Sequence, residues 1–71
     1  MEKLLTRRDI NCAADLLTML TELQSQGFDL SVMWVRPSQE GPADEVTEAG
    51  VTQTTLTDGS KTFDLILYIG D

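Results

Sequence analysis

Phe63-Asp64-Leu65-Ile66-Leu67-Tyr68-Ile69 decides the fold of this chain. Side chains alternate across a strand, so Phe63, Leu65, Leu67 and Ile69 line one face while Ile66 and Tyr68 line the other. Both faces are therefore apolar, and a chain of 71 residues has little material with which to cover two. Immediately upstream, Asp58-Gly59 is a strong hairpin signal, and the β-branched run Val51 to Thr57 reads as the partner strand. A two-residue turn sets Thr57 opposite Ser60, Leu56 opposite Lys61 and Thr54 opposite Phe63, which leaves Val51 on the face of Ile66. A three-residue loop would exchange those neighbours, and the residues alone leave both registers open.

Further toward the N-terminus, Phe28 to Val35 alternates as a strand, with Phe28, Leu30, Val32 and Trp34 on one side and Asp29, Ser31, Met33 and Val35 on the other. Pro37 is expected to end it, because proline has no ladder donor. Residues 36–50 read as a long acidic, mobile loop carrying Glu40, Asp44, Glu45 and Glu48, although the stretch around Glu45 to Glu48 could instead lengthen the next strand.

The first third of the chain reads as helix. Thr6-Arg7-Arg8-Asp9 resembles an N-cap followed by an acidic third position. Ile10, Ala13, Leu16, Leu17, Leu20 and Leu23 then recur at three- and four-residue steps. Gly27 supplies the stop, with Phe28 placed to pack back on Leu23 in a Schellman arrangement. The expected helix runs from Arg7 to Gln26. Lys3, Arg7 and Arg8 would sit at its positive end, against the macrodipole, a placement that contact with an acidic partner or the acidic loop of a second copy would explain.

The resulting expectation is one α+β domain spanning 1–71, an N-terminal amphipathic helix packed on one face of a three-stranded, mainly antiparallel sheet in the order α-β-β-β. Trp34 is expected in the core beneath the helix. Three strands are about as wide as one helix with its side chains, so one sheet face is expected to remain open. Met33, Val35, Val51, Ile66 and Tyr68 fall on that face and are the candidate partner-binding residues.

Twelve acidic against five basic residues give a net charge of −7. Such a surface repels nucleic-acid phosphate and anionic lipid and suits a basic partner surface. Histidine is absent, which removes Ser-His-Asp and Cys-His machinery and most zinc sites within one chain. The five glycines form no P-loop or dinucleotide fingerprint. Cys12 is the single cysteine, too few for an intrachain disulfide, and is expected to be a small, at least half-buried side chain. Asp44, Glu45 and Glu48 lack the ligand order of an EF-hand. No catalytic residue, metal or cofactor is expected. Without an apolar leader or membrane span, the expected location is cytoplasmic.

The function expected from these residues is that of a non-enzymatic regulator or inhibitor that binds a partner protein, as a homodimer through the open sheet face. The alternative is an acidic nucleic-acid mimic, in the manner of a phage or plasmid accessory protein directed against host defence nucleases.

Overall fold

A computed structural model describes residues 1–70. The chain is an α+β domain, but it has four strands and begins with one of them. Strand β1 (Glu2–Asp9) precedes helix α1 (Ala13–Ser25), a 3₁₀ turn (Leu30–Val32), and strands β2 (Trp34–Gln39), β3 (Val46–Thr55) and β4 (Lys61–Ile69). The sheet order is β1-β3-β4-β2. β3 pairs antiparallel with both β1 and β4, whereas β2 joins β4 in parallel.

The expected helix start at Thr6 is overturned. Residues 2–9 are paired to β3, with Arg7 opposite Gly50 and Arg8 opposite Ala49, and Ile10 N–H continues the contact by donating to Thr47 O at 2.9 Å. A strand can spread the basic residues along a ladder, whereas a helix would gather them at its positive end. The helix begins after Cys12, and the Asp15 carboxylate reaches back to accept from Asn11 N–H at 2.9 Å. Thirteen residues give α1 a length of about 20 Å. Its inward stripe is Leu16, Met19, Leu20 and Leu23, with Met19 fully buried and Leu17 turned outward. At the other end, Phe28 N–H donates to Leu23 O and Gly27 N–H to Gln24 O, both at 3.1 Å. These are the two bonds of a Schellman motif.

The strand expected over 28–35 is displaced. The Asp29 carboxylate accepts from both the N–H and the hydroxyl of Ser31, capping the 3₁₀ turn and delaying the strand to Trp34. Pro37 lies inside β2 and does not end it. β2 is an edge strand, and Glu40 N–H donates inward to Ile69 O. Alternation then points the N positions of Val35, Pro37 and Gln39 away from β4, where proline loses no internal bond. Residues expected to form a 36–50 loop are largely strand, and only 40–45 connect β2 to β3. That connection passes the end of β4, where Gly70 N–H donates to Glu45 O at 2.9 Å and the Thr47 hydroxyl to Gly70 O at 2.6 Å.

The hairpin takes the three-residue loop. Gly59 N–H donates to Leu56 O at 3.0 Å and Leu56 N–H to Ser60 O at 2.8 Å, a turn that closes on Gly59 with φ +89°. Glycine takes this left-handed geometry without a Cβ penalty. Thr55 therefore faces Lys61, Gln53 faces Phe63 and Val51 faces Leu65. A single-residue difference in register exchanges the two faces of the strand. It moves Val51 into the core under the helix and puts Thr52 on the far side. Ile10, Met19, Leu23, Ala49, Val51 and Leu65 form that core, with Phe28, Leu30, Met33, Phe63 and Leu67 packed against it. The Phe28 and Phe63 rings meet edge to face at 5.0 Å.

Candidate interaction surface

The second sheet face is closed by the chain's own side chains. Ile66 and Tyr68 lie on it, yet each is only 7% exposed. Arg7, on the same face by its register with Gly50, lies over the Tyr68 ring with its guanidinium carbon 3.6 Å from the centroid. It also donates to two carboxylates, Glu48 (Nε at 3.1 Å, Nη2 at 2.6 Å) and Glu40 (Nη2 at 2.6 Å). On the neighbouring strand, Arg36 stands opposite Ile66 and pairs with Asp64 at 3.0 Å and Glu2 at 3.7 Å. Arginine carries an apolar stem beneath a charged head, so two such residues can roof an apolar strip while their ends stay in water.

Electrostatics follow from these contacts. Hydrogen bonds from Arg7 hold the Glu48 carboxyl below its ordinary range. The same two glutamates raise the Arg7 guanidinium further above neutrality. Arg7 and Glu48 are thus both charged at neutral pH.

The five residues expected on one open face do not share one. Val51 is fully buried under α1 through the hairpin register. Met33 packs against the same core. Ile66 and Tyr68 are together on the far face beneath Arg7 and Arg36. Only Val35, 59% exposed on the edge strand, is open. Trp34, expected in the core, is 76% exposed, because the 3₁₀ turn ends the alternation that would have carried it inward. Cys12, expected at least half buried, is exposed at the helix start.

An open apolar surface beside a groove lies at the start of β2. Val32 is 70% exposed beside Trp34, and these two border a groove of about 540 Å³ whose other apolar walls are Phe28, Met33 and Phe63. Among the described residues, Asp29 and Lys61 are the ionisable ones that line it. The Asp29 carboxyl is held below its ordinary range by the Ser31 hydroxyl and N–H, so it is charged at neutral pH. Strand alternation read through Phe28 to Val35 is what turns Trp34 inward in the sequence. The Asp29-Leu30-Ser31 capping pattern was the available signal that the strand begins later.

Among the described residues no helix is long and apolar enough to cross a membrane, and no group of three or more His, Cys, Asp or Glu is placed to hold a metal ion. Comparison of the chain with protein-family models, curated proteins and solved structures gives no match.

Proposed function

We propose that this protein is a protein-binding regulator or inhibitor, and that its protein-contact surface is the β2 edge around Trp34. The observation that carries this reading is the exposed pair Val32 and Trp34 bordering an apolar groove. Tryptophan in such a setting offers a large contact area at small entropic cost and is enriched where proteins bind proteins. The absence of histidine and the engagement of Glu40 and Glu48 by Arg7 leave few groups suited to acid–base work, which supports binding over catalysis. For a nucleic-acid mimic, free carboxylates should form an array, and here Glu2, Glu22, Glu40, Glu48 and Asp64 each have an arginine partner in Arg7, Arg8 or Arg36. Those pairs weigh against the mimic.

Cross-linking capture from cell extract with the wild type, Trp34→Glu and Leu17→Glu tests the reading. Leu17 is an exposed apolar residue on the helix, remote in sequence from the edge strand. Proteins captured by the wild type and by Leu17→Glu should be lost from Trp34→Glu. Equal capture by all three would refute the assignment.

A further inference from the structure

We infer that the occupant of the groove beside Trp34 is a second copy of this chain, in a two-fold arrangement that sets Asp29 of each protomer against Lys61 of its partner. The inference rests on the reading of the β2 edge as a contact surface and names the partner. Charge carries it. The chain has a net charge of −7, so two copies repel wherever they meet through average surface. The groove lining carries one Asp and one Lys and is therefore neutral. Two copies can approach there without adding like charges.

The two rim charges are also of the kind a two-fold contact uses, since in such an interface residue i meets residue j and j meets i. Arg7, Arg8 and Arg36 are all engaged with carboxylates of their own chain. Lys61 and Asp29, by contrast, have no oppositely charged side chain within 4.0 Å among the described residues. An acidic peptide would meet Asp29 and a basic one Lys61, whereas a second copy brings both complements.

The contact is made by side chains and not by extending the sheet. β2 is an edge, but Pro37 stands at one of its outward N positions, which breaks a continuous ladder with another strand. Val32 and Trp34, both exposed on the rim of the groove, supply the apolar centre together with its Phe28, Met33 and Phe63 walls.

Charge reversal tests this. Sedimentation equilibrium from about 1 μM to about 1 mM reads the monomer–dimer midpoint. The wild type should dimerise within that range. Asp29→Lys and Lys61→Asp should each weaken the dimer by at least about tenfold, because each places two like pairs in the interface. Mixed together, the two variants should form a heterodimer with both pairs restored, within about threefold of the wild type in affinity. Asp29 also caps the 3₁₀ turn, so Trp34→Glu supplies a second disruption at an exposed position, and circular dichroism confirms folding in each case. The emission of Trp34, the only tryptophan, should shift to the blue as the wild type associates. A wild type that stays monomeric overturns the inference. So does a dimer indifferent to both Lys61→Asp and Trp34→Glu, or folded variants that fail to pair when mixed. If the chain is monomeric while extract capture still depends on Trp34, only the second copy is overturned and the contact surface stands.

Discussion

Gly50 lies where β1, β3 and the Tyr68 ring converge, and replacing it tests the way the second sheet face is closed. A Cβ at this position would lie 2.7 Å from the Thr6 backbone oxygen, 3.2 Å from Tyr68 Cε2 and 3.3 Å from Leu4 Cδ1. The first of these atoms belongs to a paired strand and cannot swing aside. Overpacking of this kind costs about 1–3 kcal/mol. Alanine in a strand otherwise gains about 0.5–1 kcal/mol over glycine. With an immovable backbone atom placing the overpacking cost in its upper half, about 2–3 kcal/mol, Gly50→Ala should lose about 1–2.5 kcal/mol net. At roughly 0.05–0.15 kcal/mol per residue the whole domain has about 3.5–10 kcal/mol, so the loss is a large fraction of it. With a urea slope near 1 kcal/mol/M for so small a chain, the unfolding midpoint should fall by about 1–2.5 M. Adding Leu4→Ala should not restore it, because the nearest atom is backbone. A Gly50→Ala protein as stable as the wild type, or rescued by Leu4→Ala, would refute this packing of β1 over Gly50.

Met19 is completely enclosed, so Met19→Ala should cost about 2–5 kcal/mol in urea unfolding; a loss under 1 kcal/mol would mean the helix packs in another rotation. Val51→Thr should cost about 1–3 kcal/mol by burying an unpartnered hydroxyl, while Thr52→Val, on the face where the Thr52 hydroxyl meets Arg36 at 3.5 Å, should change stability far less. The reverse ranking would point to a two-residue hairpin loop. Glu48 has a folded-state pKa below its ordinary 4.5, chiefly through its hydrogen bonds with Arg7. Its contribution is therefore full above about pH 4.5 and lost as the pH falls through the lower folded value. Arg7→Gln should lessen this acid-side loss, and parallel pH–stability curves for the two proteins would show that the pair does not act in this way.

Where a local pattern agreed with its tertiary setting, the sequence was readable. The Gly27 stop, the placement of Phe28 against Leu23, and the division of Phe63, Leu65 and Leu67 from Ile66 and Tyr68 all follow from short-range geometry. Three things depended on partners distant in the chain. Residues 2–9 contain a plausible helix start, and only the availability of β3 as an antiparallel partner turns them into a strand. The hairpin's two possible loops differ by one residue, and that difference decides whether Val51 or Thr52 is buried, so the interface residues read from the shorter loop could not hold together as a face. Pro37 reads as a terminator in the sequence, because its position at an outer edge is a property of sheet order. The basic cluster at Lys3, Arg7 and Arg8 was the one local signal that something was amiss, since it opposed the dipole of the helix it was assigned to begin.

Coverage of both sheet faces by so short a chain explains where its remaining open surface lies. The single helix can serve only one face, and a second helix would need more residues than the chain has. β1 solves part of the problem by widening the sheet beyond β3 and bringing Leu4 and Arg7 toward Tyr68. β2 does the same from the other side with Arg36. Individually these exposed ion pairs contribute little to stability, but their apolar stems remove Ile66 and Tyr68 from water, which the hydrophobic effect rewards more strongly. Ile66 and Tyr68 are thereby covered within the chain itself. Among the stretches left uncovered is the margin where α1 has already ended at Gly27 and β2 has only begun at Trp34. The apolar side chains there have no layer above them, and the neutrality of their surroundings in a strongly acidic chain is what makes that margin suited to contact with a second copy.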